Sequence, residues 1–271
     1  MARDVFTGKE KFGYEGFSED FTIPMIASSL LRAEKELGVD GKFRFAGEEL
    51  NRSLSQEWMP ENKIRESLEI IHNIQSDEIV SLSSGYDWHG THVIFFKGHL
   101  LYCNKGAFGK GGINVYKIPD PKKVTKQHLI NLIQRQKFSN MNFLSEEKLI
   151  SELKLQHVIK IRLKDQRVGN CTYVNTRAGA RALMAIHSIL MFQKPLSYAV
   201  WRDAFDDTRE DYKKFFQLDR DMLLEDLLGD VRKHEDNFSP ILTKDTLFGD
   251  LLRRIKPGRC KKEHVEMLKK Y

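Results

Sequence analysis

Four short segments between Ile79 and Ile118, IVSLSS, HGTHVIFF, HLLYCN and INVYKI, constrain the fold more than any other feature of the chain. Each is rich in β-branched and aromatic residues, and Gly-containing breaks separate them, which is the pattern of a small, mostly antiparallel sheet. Lys97-Gly98 stands between two of them as a two-residue hairpin turn. That turn makes Phe96 face His99 and, counting outward, makes Thr91 face Asn104. Side chains alternate between faces, so His89 shares a face with Thr91 and Asn104, while His92 shares the other with Cys103.

Helical spacing surrounds this block. Met25 to Leu37 reads as a helix that follows Pro24 and stops at Gly38. Pro60 opens another, with Ile64, Leu68, Ile71 and Ile74 along one face. Residues 125–136 and 145–155 are helical, the second capped by Ser145 with Glu146 and Glu147 in its first turn. VIKIRL, 158–163, is a further strand. The helix that follows carries an apolar stripe of Ala178, Ala182, Ala185, Ile186 and Ile189, whose small residues permit close packing against a sheet. Helices over 208–216, 220–233 and 260–270 complete the chain. The organisation expected is an N-terminal helical part (1–78), an α+β core (79–195) and a C-terminal helical subdomain (196–271).

Composition narrows the class. With 41% hydrophobic and 30% charged residues, collagen-like, low-complexity and wholly disordered chains are excluded. The longest apolar stretch, Ala182 to Phe192, includes His187 and Ser188 and falls short of the ~20 residues that cross a bilayer, so no transmembrane segment is expected. The first twenty residues scatter charge and lack an apolar h-region, so no cleavable signal peptide is expected. Three widely spaced cysteines suit neither a disulfide framework nor a CxxC metal site, which points to a reducing setting. The net charge of +6 resides in the tail. There Arg253, Arg254, Lys256, Arg259, Lys261, Lys262, Lys269 and Lys270 oppose only Glu263 and Glu266. This basic helix reads first as a solvated face packing near the acidic segment that precedes it, with an anionic surface as the alternative; nucleic acid ranks last among partners.

Cys171 lies at a turn into a helix, where free N–H groups and the dipole favour a thiolate, making it a candidate nucleophile. Gln166, five residues upstream, supplies an amide N–H that can join the Cys171 backbone N–H at a developing oxyanion. His89 is the candidate base, with Asn104 facing its strand as orienter and Asp87 or Asp165 as fallback. A slip of one residue in the turn substitutes His92. His89 and Asn104 also make sense as a hydrogen-bonded strand pair with no catalytic duty. GAFGKGG, 106–112, lacks the spacing of a P-loop, and His89 and His92 sit on opposite faces, so neither a cofactor nor a metal is expected. His187 reads as a core histidine, and Trp58, Trp88 and Trp201 as packing residues.

The pieces SGYDWHGTHVIFF, LLYCNKG and KDQRVGNCTYVN, in the order His, Asn, Gln, Cys, resemble the papain-related cysteine proteases of the Ulp and YopJ type. More narrowly they are similar to cysteine-protease-like domains in secreted effectors of intracellular bacterial pathogens, some of them ankyrin-bearing. The likeness covers about 80–192. It departs at Tyr86, where the pattern has Trp, and at Asn104 and NCT, where Ulp proteases have Asp and DCG. The resemblance implies an α+β papain-like fold in which the sheet packs on a central helix. It also implies His89 as base, Asn104 as orienter, Gln166 as oxyanion donor and Cys171 as nucleophile. The expected function is a cysteine hydrolase, a protease or ubiquitin-like isopeptidase, delivered by a specialised secretion system into the host cytoplasm and acting on a host protein. An acyltransferase with the same triad, and a non-catalytic host-protein-binding module on this scaffold, are the alternatives.

Overall fold

The computed structural model describes residues 19–38, 41–57, 72–75, 78–86, 89–105, 111–133, 145–163 and 171–219. The chain divides into two units, Gly13–Tyr212 and Met1–Phe12 with Lys213–Tyr271. The described part of the second, 213–219, is helical.

Within the larger unit, five strands form one antiparallel sheet in the order of the chain: β1 (Val80–Tyr86), β2 (His89–Phe96), β3 (His99–Asn104), β4 (Gly112–Lys117) and β5 (Gln156–Arg162). The expected hairpin is present. Lys97 and Gly98 have φ of 44° and 66°, the two left-handed positions of a type I′ turn, and Phe96 pairs with His99. His99 Nδ1 donates to the Lys97 carbonyl oxygen at 2.8 Å, tying the turn to its strand. No slip occurs, and His92 pairs with Cys103.

Helices cover both sheet faces. On one lie α3 (Lys126–Ile133) and α4 (Glu146–Leu153), whose Leu129, Leu132, Leu149 and Leu153 join Leu82, Val93, Phe95, Leu100 and Tyr102 in a closed apolar core. Ser145 caps α4 as expected, its Oγ accepting from Lys148 N at 3.2 Å, and Lys154 ends it in the left-handed region. On the other face lies α5 (Cys171–Phe192), which packs on β2, β3 and β4. Ala178, Ala182, Ala185 and Ile186 of the expected stripe are fully buried, and Ile189 nearly so. A Cβ built on Gly179 would overlap the His92 ring, so this glycine sets how closely helix and sheet approach.

Three elements differ from the sequence reading. Helix α1 (Glu19–Leu37) begins before Pro24 and contains it, ending as expected at Gly38, whose φ is 59°. An unexpected helix, α2 (Lys42–Glu57), packs against α1, β1 and α5. A second, α6 (Tyr198–Asp207), starts at the Ser197 cap and buries Val200, Trp201, Ala204 and Phe205. The helix expected after Pro60 lies largely outside the described residues; 72–75 are helical and Ile74 is buried. Those expected over 220–233 and 260–270 lie wholly outside them. Among the described residues no helix is long and apolar enough to cross a membrane.

Candidate functional site

The geometry of the site follows from one missing rung. Counting back from the Phe96–His99 pair, every second pair of β2 and β3 exchanges two backbone hydrogen bonds, and Gly90 and Lys105 would be such a pair. The paired register stops instead at His92 and Cys103. Asn175 of α5 occupies the opening. Its Oδ1 accepts from Lys105 N at 2.6 Å and its Nδ2 donates to the Gly90 carbonyl, so the carboxamide stands in for the backbone rung. Asn175 is fully buried. The ends of β2 and β3 are thus parted, and the first turn of α5 is wedged between them. A Cβ on Gly90 would fall 2.6 Å from Thr172 Oγ1 and 3.1 Å from Thr172 Cα. Only glycine allows the helix this near.

This wedge brings together the starts of β2 and α5 and the end of β3. His89 opens β2, Cys171 opens α5 and Asn104 closes β3, so three of the four candidate residues lie on elements that meet at one corner. The side chains of His89 and Cys171, and all of Gln166, Asp87 and Asp165, lie outside the described residues. Asn104 pairs with Gly112, and two positions along the same strands Tyr102 pairs with Asn114. By strand parity Asn104 therefore belongs to the face of Tyr102 and Asn114, the one covered by α4, and is nearly buried there.

The described titratable groups near the corner are held in structural roles. His92, the alternative base, is fully buried against Gly179, with Nε2 bonded to Ser81 Oγ at 2.8 Å and Nδ1 without a partner. Burial lowers its pKa to about 4, because the charged imidazolium is deprived of water there. Cys103, on the same face, is buried, and burial, helped by the charge of Glu146, pushes its thiol far up. On the opposite face Glu146 Oε1 accepts from Asn114 Nδ2 and Tyr116 OH, each at 2.7 Å. Burial raises the Glu146 pKa against these two bonds. Behind α5, Lys42 Nζ bridges Asp207 at 3.0 Å and Asp211 at 3.1 Å, and Ser188 Oγ donates to Asp207 at 2.8 Å. These bonds tie α2, α5 and α6 into one layer. His187 is half-buried with its ring 5.1 Å from that of Phe45, and Trp201 is fully buried. Among the described residues no three His, Cys, Asp or Glu side chains gather as metal ligands.

Residues 92–247 match the family model described as "Dot/Icm T4SS effector AnkD/LegA15". The chain belongs to this effector family. It is therefore a bacterial effector, translocated into a host cell by the Dot/Icm secretion system, as the resemblance implied. The family description carries no catalytic class. A solved structure entitled "Structure of Legionella Effector AnkH" is similar at a TM-score of 0.64 and 15% sequence identity, over 95% of this chain and 54% of that one. The likeness establishes a shared α+β fold, and the chain spans about half the length of the AnkH chain. No curated protein sequence matches. Asn175, which organises the corner, was not singled out from the sequence; its only signal is its place one helical turn after Cys171.

Proposed function

We propose that this Dot/Icm effector acts in the host cell as a non-catalytic host-protein-binding module built on a cysteine-protease-like scaffold. The observation that carries the reading is the parted strand end filled by Asn175. There the Gly90 carbonyl, the Lys105 N–H and the Asn175 carboxamide satisfy one another, so these polar groups close the structure and are not free for a substrate. His92 is sealed as a neutral imidazole, and Asn104 sits on the sheet face away from α5. An orienting residue on that face is poorly placed to hold an imidazole against a nucleophile on the other.

A second reading keeps Cys171 as nucleophile, His89 as base, Asn104 as orienter and Gln166 as oxyanion donor in a cysteine hydrolase or an acyltransferase. One observation favours it: the elements that carry Cys171, His89 and Asn104 meet at a single corner. Helix start, strand start and strand end are the positions such chemistry requires. Partners recovered from host cells by cross-linking with wild type and Cys171→Ala separate the two. The binding reading expects the same host protein, bound with the same affinity and chemically unchanged by either form. Cleavage or acylation of that protein by wild type alone overturns it.

A further inference from the structure

Arg181, in the middle of α5 on the side away from the sheet, is a charged residue with no ion-pair partner among the described residues. It is 9% exposed. Its guanidinium packs over the rings of Tyr212 at 5.3 Å and Phe205 at 6.0 Å. Its Nε is buried without a hydrogen-bond acceptor, and no carboxylate among the described residues pairs with it. Asp206, an acid in its neighbourhood, is engaged by Arg209 at 3.0 Å. Arg177 lies one turn earlier on the same helix, itself nearly buried, with its guanidinium 5.2 Å from the Tyr173 ring.

Aromatic faces hold a guanidinium flat but offer its N–H edge no acceptor. The Arg181 Nε–H is a buried donor without an acceptor, so the group is incomplete as it stands. The ring contacts fix the plane of the fork in advance, so an incoming oxyanion would meet two N–H groups already oriented.

From this constellation we infer that Arg181, between α5, α6 and Tyr212, is the anchor of an oxyanion site that takes a phosphate group, with Arg209 at its rim. The site lies on the side of α5 away from the parted strands and stands independently of whether the Cys171 corner is catalytic. The phosphate comes either as inorganic phosphate or as the monoester of a small soluble metabolite; both present the same tetrahedral dianion.

Isothermal titration of the full chain with inorganic phosphate and with ribose 5-phosphate, in potassium chloride of matched ionic strength, tests this. One phosphate should bind per chain, and Arg181→Gln should weaken it at least about tenfold. Arg181→Lys keeps the charge and loses the fork, so it too should bind about tenfold more weakly, and it serves if the glutamine variant does not fold. Tighter binding of the sugar phosphate identifies the ester as the source, and the reverse order identifies inorganic phosphate. Equal binding by wild type and a folded Arg181 variant, or no binding by wild type beyond that of chloride, overturns the inference.

Discussion

Replacing His92 with Gln should remove an acid-sensitive part of the protein's stability. In the folded chain the imidazole has a pKa of about 4, lowered by complete burial, against an ordinary value of 6.5. A depressed histidine pKa means that the unfolded chain binds the proton more readily. Its contribution is whole above pH 6.5, falls as the pH drops below that value, and is spent near pH 4. At about 1.4 kcal/mol per pH unit the whole gap is worth about 3 kcal/mol, of which about 2 kcal/mol falls between pH 6.5 and 5. Glutamine can keep the bond to Ser81 but does not titrate, so this slope disappears in His92→Gln. Urea unfolding of both proteins at pH 7.5, 6.5, 5.5 and 5 measures the difference directly, because other groups titrate alike in the two. Wild type should lose about 2 kcal/mol relative to the variant across that range. Parallel profiles would show that His92 takes up its proton equally well in both states, and would refute the claim that the helix seals it.

Two further outcomes test the wedge and the hairpin. Asn175→Ala leaves the Gly90 carbonyl and the Lys105 N–H unpaired in a buried setting, and should cost about 2–4 kcal/mol in urea unfolding, with faster amide exchange at the ends of β2 and β3. Lys97→Asn places the residue that best tolerates a left-handed φ at the first turn position and should raise stability by a few tenths of a kcal/mol to about 1 kcal/mol, read as a higher thermal midpoint.

The sheet was legible because its determinants are local. Alternating β-branched and aromatic residues mark β1 to β4, and Lys97-Gly98 fixes the register that sets His92 opposite Cys103. The α5 stripe was legible for the same reason, its small residues recurring at helical spacing. Helix α2 was missed because Lys42–Glu57 carries few apolar residues, contains Gly47, and takes its stability from packing on α1 and α5 rather than from its own pattern. Pro24 was read as a helix start, yet it lies inside α1, where packing of Ile23, Ile26 and Ala27 outweighs the lost backbone bond and the crowding of its ring against the preceding turn. Helix α6 had a signal that went unused, the Ser197 cap followed by Val200, Trp201, Ala204 and Phe205.

The corner itself was half legible. Strand alternation correctly put His92 with Cys103, but alternation does not say which face the nucleophile's helix will cover; the structure places α5 on the His92 face. Asn175 replacing a ladder rung is a tertiary event with no local pattern. The same holds for Arg181, whose helical position looks solvent-facing until α6 folds over it.

Cysteine reactivity at the start of α5 decides between a sealed scaffold and a working site. In the folded full-length chain, an electrophilic acyl probe should label Cys171 no faster than an ordinary thiol, and His89→Ala should leave that rate unchanged. Rapid labelling confined to Cys171 and abolished by His89→Ala would contradict the account and assign the corner to a cysteine nucleophile.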